Sequence, residues 1–82
     1  MHCRDYYRLL HNLDYGEAYN NRGNALVELK KTESALESFD KAIQINPNSA
    51  EAYYNRGNAL KKFKKLEEAL ESFDKAIQIN PG

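Results

Sequence analysis

The sequence lacks most of the residues on which catalytic, metal-binding and cross-linked proteins depend. Its one cysteine, Cys3, can form no disulfide within the chain and has no partner cysteines for a zinc site. The two histidines, His2 and His11, stand at no spacing from Cys3 that matches a metal or catalytic motif. The four glycines are dispersed and form no phosphate-binding loop. We therefore expect no catalytic residues, no metal and no cofactor, and hence no enzyme.

The chain also lacks net charge and long apolar runs. Its 12 basic and 12 acidic residues cancel, which removes the electrostatic attraction that general binding to nucleic acid or an anionic membrane requires. No apolar run approaches the roughly 20 residues needed to cross a bilayer. The N-terminal segment MHCRDYYRLL has no apolar core of a signal peptide. These absences predict a single cytoplasmic domain that binds neither nucleic acid nor membranes.

An internal repeat is the strongest feature that is present. EAYNNRGNAL at 17–26 recurs as EAYYNRGNAL at 51–60, and ALESFDKAIQINP at 35–47 recurs unchanged at 69–81. The offset is 34 residues, and segments 16–47 and 50–81 differ at only seven of 32 positions. So close a match indicates recent duplication or a designed consensus. A fixed period of this length predicts a repeat architecture.

Each repeat predicts two helices, because its apolar residues recur at helical spacing. Pro47 ends the second helix, and Asn48 with Glu51 resembles a capping box that starts the next; Asp14 and Glu17 repeat this arrangement. The predicted helices lie near 16–30, 33–46, 50–64 and 67–80.

The repeated residues resemble those of the tetratricopeptide repeat family over residues 16–82. The resemblance rests on an early aromatic residue, a helix glycine, three core positions and a closing proline: Tyr19/Tyr53, Gly23/Gly57, Ala35/Ala69, Phe39/Phe73, Ala42/Ala76 and Pro47/Pro81. It implies an all-α fold of antiparallel helix-turn-helix repeats, stacked as a short right-handed superhelix. Repeat 1 then covers 16–48 and repeat 2 covers 49–82. The resemblance implies no catalytic chemistry.

The turns inside the repeats depart from the family pattern. Where the family usually has glycine, this chain has Lys30 and Lys64, and a non-glycine residue in a left-handed turn costs about 1 kcal/mol. Thr32 could cap the helix that follows the first turn. Segment 58–73 contains no helix breaker, so an alternative prediction is one continuous helix that exchanges its second half with another chain.

The resemblance also implies where a ligand binds, because the first helices of such repeats line a concave groove for peptides and protein tails. Asparagine side chains can pair with an extended peptide backbone, and paired lysines favour an acidic residue or a terminal carboxylate. The alternative is a solvated polar face with no ligand. The predicted groove residues are Asn20, Asn21, Asn24, Tyr54, Asn55, Asn58, Lys61 and Lys62.

The sequence leads to a separate prediction for each end of the array. Residues 1–15 form either an N-terminal capping helix, in which Tyr6, Leu9, Leu10 and Leu13 recur at helical spacing, or a tail. Two repeats are fewer than such arrays normally need. The last helix is therefore expected to present uncovered apolar residues, either as a self-association site that gives a homodimer or higher oligomer, or as the cut edge of a longer array. These residues are Leu70, Phe73, Ile77 and Ile79.

Overall fold

The chain forms four α-helices in the computed structural model, which describes the backbone of residues 2–82 and the side chains of residues 15–82. No strand occurs among these residues. Helices α1 and α2 pack as one hairpin, α3 and α4 pack as a second, and α3 lies against both helices of the first. The all-α repeat fold predicted from the sequence is therefore confirmed. The helices are α1 (His2–Glu28), α2 (Thr32–Ile45), α3 (Ala50–Lys62) and α4 (Leu66–Ile79).

The first helix is longer than predicted. A start near residue 16, capped by Asp14, is wrong, because α1 runs without a break from His2 to Glu28. Segment 2–15 contains neither proline nor glycine, so it has no equivalent of Pro47 to separate it from the repeat. Residues 2–15 thus extend the first helix instead of forming a separate one. The cap packing predicted for Tyr6, Leu9, Leu10 and Leu13 lies outside the described side chains.

Both hairpins close through left-handed lysines. Lys30 has φ 63° and Lys64 has φ 64°, the conformation that family members usually give to glycine. The N–H of Lys31 donates to the carbonyl of Leu26 at 2.9 Å, and the N–H of Lys30 to that of Val27 at 2.9 Å. In the second hairpin, the N–H of Lys65 donates to the carbonyl of Leu60, and the N–H of Lys64 donates to that of Lys61. This is the Schellman arrangement, which satisfies carbonyl groups left free at a helix C-terminus.

These turns decide between the alternatives for segment 58–73. Helix α3 ends at Lys62 and α4 begins at Leu66, so the segment is a hairpin within one chain and the prediction of one continuous helix is wrong. The predicted cap at Thr32 is also wrong. Thr32 is the first residue of α2, and the cap position belongs to Lys31, which makes no side-chain capping bond.

The connection between the hairpins fixes the start of α3. Ser49 is the capping residue, and its Oγ accepts a hydrogen bond from the N–H of Ala52 at 3.1 Å. Asn48, predicted for this role, instead donates its backbone N–H to Oδ1 of Asn46 at 3.4 Å. The predicted stop at Pro47 agrees with the structure, since α2 ends at Ile45. The cap therefore lies one residue later than the sequence motif suggested.

The core lies where the second hairpin covers the first. Ala35, Phe39 and Ala59 form a cluster in which no residue is more than 1% exposed. Two residues of this cluster come from α2 and one from α3, so burial at this point depends on contact between the repeats. Four partly buried residues pack around it: Leu26, Val27, Leu36 and Phe63.

Two helix glycines allow the paired helices to approach closely. A Cβ atom added at Gly23 would lie 2.6 Å from Cε1 of Phe39, and one added at Gly57 would lie 2.7 Å from Cε1 of Phe73. Phe39 is fully buried, whereas Phe73 is half-buried. The same clash therefore meets a fully enclosed ring in the first hairpin and a partly exposed ring, with open space beside it, in the second.

Gly23→Ala is accordingly expected to destabilise the chain more than Gly57→Ala. Overpacking a core typically costs about 1–3 kcal/mol, and alanine returns about 1 kcal/mol of helix propensity. We expect a net loss of up to about 2 kcal/mol at position 23 and nearly none at 57. Urea unfolding followed by circular dichroism measures both. Equal losses would show that the difference in ring burial has no effect on the clash.

Candidate functional site

A groove runs between α1 and α3 on the face that carries the first helix of each repeat. Its volume is about 600 Å³. The lining comes from the second half of each helix, so the two equivalent helix surfaces stand side by side. The residues that line it are Asn24, Val27, Glu28, Asn55, Asn58, Ala59, Lys61 and Lys62.

Asparagines give the groove its polar wall. Asn24 and Asn58 occupy equivalent positions 34 residues apart, and both are exposed. Ala59 is 1% exposed and, with half-buried Val27, supplies the apolar part of the lining. A side-chain amide offers both donors and an acceptor, which matches the alternating groups of an extended peptide. The groove therefore combines side-chain amides with an apolar surface.

One asparagine pair ties the two helices together. Nδ2 of Asn55 donates to Oδ1 of Asn20 at 3.0 Å. Asn20 is only 5% exposed and does not line the groove, in contrast to its prediction as a groove residue. Asn55 does line the groove, and this bond uses one of its amide hydrogens. The pair thus holds α3 at a fixed position along α1.

Charge is concentrated at one end of the groove. Lys61 and Lys62 stand in the last turn of α3, and Glu28 ends α1. All three are exposed and line the same groove, so its local charge is positive. Cations at this position also interact favourably with the C-terminal end of the helix dipole. The two lysines can thus serve helix stability and an anionic ligand at once.

Two further predicted groove residues lie elsewhere. Asn21 is exposed but does not line the groove. Tyr54 points to the other side of α3, where its ring centroid lies 5.8 Å from that of Phe73 at an angle of 55°. The remaining predicted residues, Asn24, Asn55, Asn58, Lys61 and Lys62, line this groove. Ala59 also lines it and was not predicted, because a buried alanine carries no chemical signal.

The outer side of the second hairpin forms a distinct apolar surface. A hollow of about 520 Å³ lies there, lined by residues of α3 and α4: Ala50, Glu51, Tyr54, Phe73, Ala76, Ile77 and Asn80. Leu70 and Ile77, predicted for self-association, are 62% and 59% exposed. Phe73 and Ile79, the other two, are half-buried. No described helix covers this surface.

Arginine–serine bonds reinforce both hairpins. Arg56 donates from Nη1 to Oγ of the buried Ser72 at 2.8 Å, and Arg22 makes the equivalent bond to the buried Ser38. Arg56 also donates from Nε to Oδ1 of Asp40 at 2.9 Å, which links the second hairpin to the first. Asp40 is exposed and Arg56 is partly exposed, so solvent screens the ion pair and its stabilisation is below about 1 kcal/mol. The pair instead helps to fix the position of the second hairpin along the first.

The described side chains contain no group of three or more residues arranged to hold a metal ion. His2, Cys3 and His11 are not among the residues whose side chains the structure describes. Among the described helices, none combines the length and the apolar character needed to span a membrane.

Comparison with known families assigns the repeats. A model described as TPR repeat matches residues 23–63, which is half of the chain. The chain belongs to the tetratricopeptide repeat family. A second model, described as Tetratricopeptide repeat, matches residues 50–82. Tetratricopeptide repeats are generally protein–protein interaction modules and typically have no catalytic activity. Comparison with curated proteins gives no match.

Proposed function

We propose that this tetratricopeptide repeat protein is a non-catalytic scaffold that binds an extended acidic peptide or protein tail in the groove between α1 and α3. One observation carries the proposal. Asn24, Asn55, Asn58, Lys61 and Lys62 come from two repeats, and the groove brings them together around a single hollow of about 600 Å³.

The proposed polarity of the ligand follows from the charges. An acidic side chain or a terminal carboxylate would lie at the end of the groove that carries Lys61 and Lys62, where charge-assisted hydrogen bonds are the strongest available. Asn24 and Asn58 would then hold the preceding main chain. Glu28 lies beside the lysines and would repel an anion placed too far toward α1.

Binding can be measured by fluorescence anisotropy with a labelled short peptide that is rich in aspartate and glutamate and has a free C-terminal carboxylate. Replacement of Lys61 and Lys62 by glutamate is expected to weaken binding at least about tenfold, since each 1.4 kcal/mol lost is a factor of ten. Asn24→Ala with Asn58→Ala should cost a similar factor, because two exposed amides are removed without breaking a contact of the fold.

A matched control variant makes the same change of charge at two lysines outside the groove. Lys41→Glu with Lys75→Glu alters two exposed lysines on α2 and α4, neither of which lines the groove. This variant is expected to retain most of the affinity. Equal weakening by both lysine pairs would show attraction to overall charge instead of a site. No saturable binding by the unaltered protein would refute the groove proposal.

A further inference from the structure

We propose that the outer surface of the second hairpin binds a second copy of this chain, head to tail, through the exposed face of α1. We call this outer surface the end face and define it by Tyr54, Leu70, Phe73 and Ile77. This inference is independent of the groove, which lies on another side of α3.

The first hairpin shows what covers such a surface. Leu36 and Phe39 are the equivalents of Leu70 and Phe73, and in the first hairpin they pack in the core beneath α3. Phe39 is fully buried, and Leu36 is partly buried against the same cluster. Leu70, in identical local sequence, is 62% exposed. The end face is therefore the same surface without its covering helix.

Helix α1 carries the covering surface that α3 uses. On α3, Ala52 and Ala59 are each 1% exposed, and Phe63, the residue that follows α3, packs against the core cluster. Their equivalents are Ala18 and Ala25 on α1 and Leu29 directly after it; all three are exposed, Leu29 by 66%. Together with Arg22, these equivalents form a stripe at helical spacing, which we call the α1 stripe: Ala18, Arg22, Ala25 and Leu29.

The charges of the two surfaces also match. Within the chain, Arg56, which stands between Ala52 and Ala59 on α3, pairs with Asp40 on the first hairpin at 2.9 Å. The equivalents are Arg22 on α1 and Asp74 on α4, and both are exposed. When a second copy places its α1 over the end face, Arg22 meets Asp74 in the geometry that Arg56 and Asp40 already show. One alignment of α1 on the end face therefore satisfies both the apolar contacts and the ion pair.

These matches identify the occupant as a second copy. A foreign partner would need small residues, an arginine and a large apolar residue at the same helical spacing, whereas every copy of this chain already presents them. Exposed apolar surface of this kind marks interaction sites. A head-to-tail contact uses two different surfaces and leaves one of each free, so association continues beyond a dimer.

Sedimentation velocity over a range of concentrations tests the proposal. The unaltered chain is expected to increase in mean mass as concentration rises. Ile77→Glu blocks the end face and Leu29→Glu blocks the α1 stripe, so each variant alone should remain monomeric. Both positions are more than half exposed, and circular dichroism should show unchanged helix content. Gln78→Glu, at an exposed residue of α4 whose equivalent Gln44 stays exposed where α3 covers the first hairpin, should associate like the unaltered chain.

An equimolar mixture of the two blocked variants separates the possible arrangements. Leu29→Glu retains a free end face and Ile77→Glu retains a free α1 stripe, so the mixture should form one heterodimer and nothing larger. If Leu29→Glu still associates alone, two end faces bind each other and the head-to-tail arrangement is wrong. A mixture that stays monomeric, or an unaltered chain that stays monomeric at every concentration, also overturns the proposal.

Discussion

Phe39→Ala is expected to destabilise the fold by about 3–5 kcal/mol, the usual cost of removing a fully buried phenylalanine. The ring of Phe39 is 0% exposed, lies directly on Gly23 and belongs to the cluster with Ala35 and Ala59. Small domains have about 5–15 kcal/mol of total stability, so this loss removes much of it. Chemical unfolding followed by circular dichroism measures the change.

Phe73→Ala is the matched comparison, because Phe73 stands in the same local sequence, ESFDKAIQI, in the second repeat. Its ring is half-buried, with Tyr54 on one side and no described helix over the end face. The expected loss is about half of that at position 39, since cavity cost scales with the burial that is lost. Equal losses would show that each hairpin builds its core alone, independent of its neighbour.

The same contrast explains what the sequence could predict. A period of 34 residues with helical apolar spacing specifies two hairpins, because each pattern can bury its apolar side only as paired helices. The groove followed in part for the same reason: Asn24 and Asn58 share one position in the repeat, and neighbouring repeats bring equivalent faces together. Local pattern and stacking therefore account for the architecture and for most of the lining.

The sequence could not predict the surroundings of residues whose burial depends on which repeat of the stack they belong to. Asn20 and Tyr54 are equivalent, yet Asn20 is buried against Asn55 beneath α3, whereas Tyr54 lies on the uncovered end face. The repeat pattern treats both as exposed groove positions. The cap at Ser49 was missed for a different reason: Asn48 and Ser49 are both good capping residues, and only the path of the loop after Pro47 chooses between them.

The conformation of the turn lysines has a measurable consequence. Lys30→Gly with Lys64→Gly is expected to stabilise the chain by about 2 kcal/mol, since each lysine gives up about 1 kcal/mol of left-handed strain. For a domain of this size the unfolding temperature should rise by roughly 8–16 °C. Thermal unfolding followed by circular dichroism tests the increase.

Two controls assign this gain to backbone conformation. Lys31 and Lys65, the next residue in each turn, have φ −94° and −98°, where glycine brings no relief of strain and adds flexibility to the unfolded chain. Lys31→Gly with Lys65→Gly should therefore not reproduce the gain, although it removes the same charge. Lys30→Ala with Lys64→Ala keeps the Cβ atom and should leave stability nearly unchanged. A gain from alanine as large as that from glycine would instead attribute the effect to repulsion between neighbouring lysines.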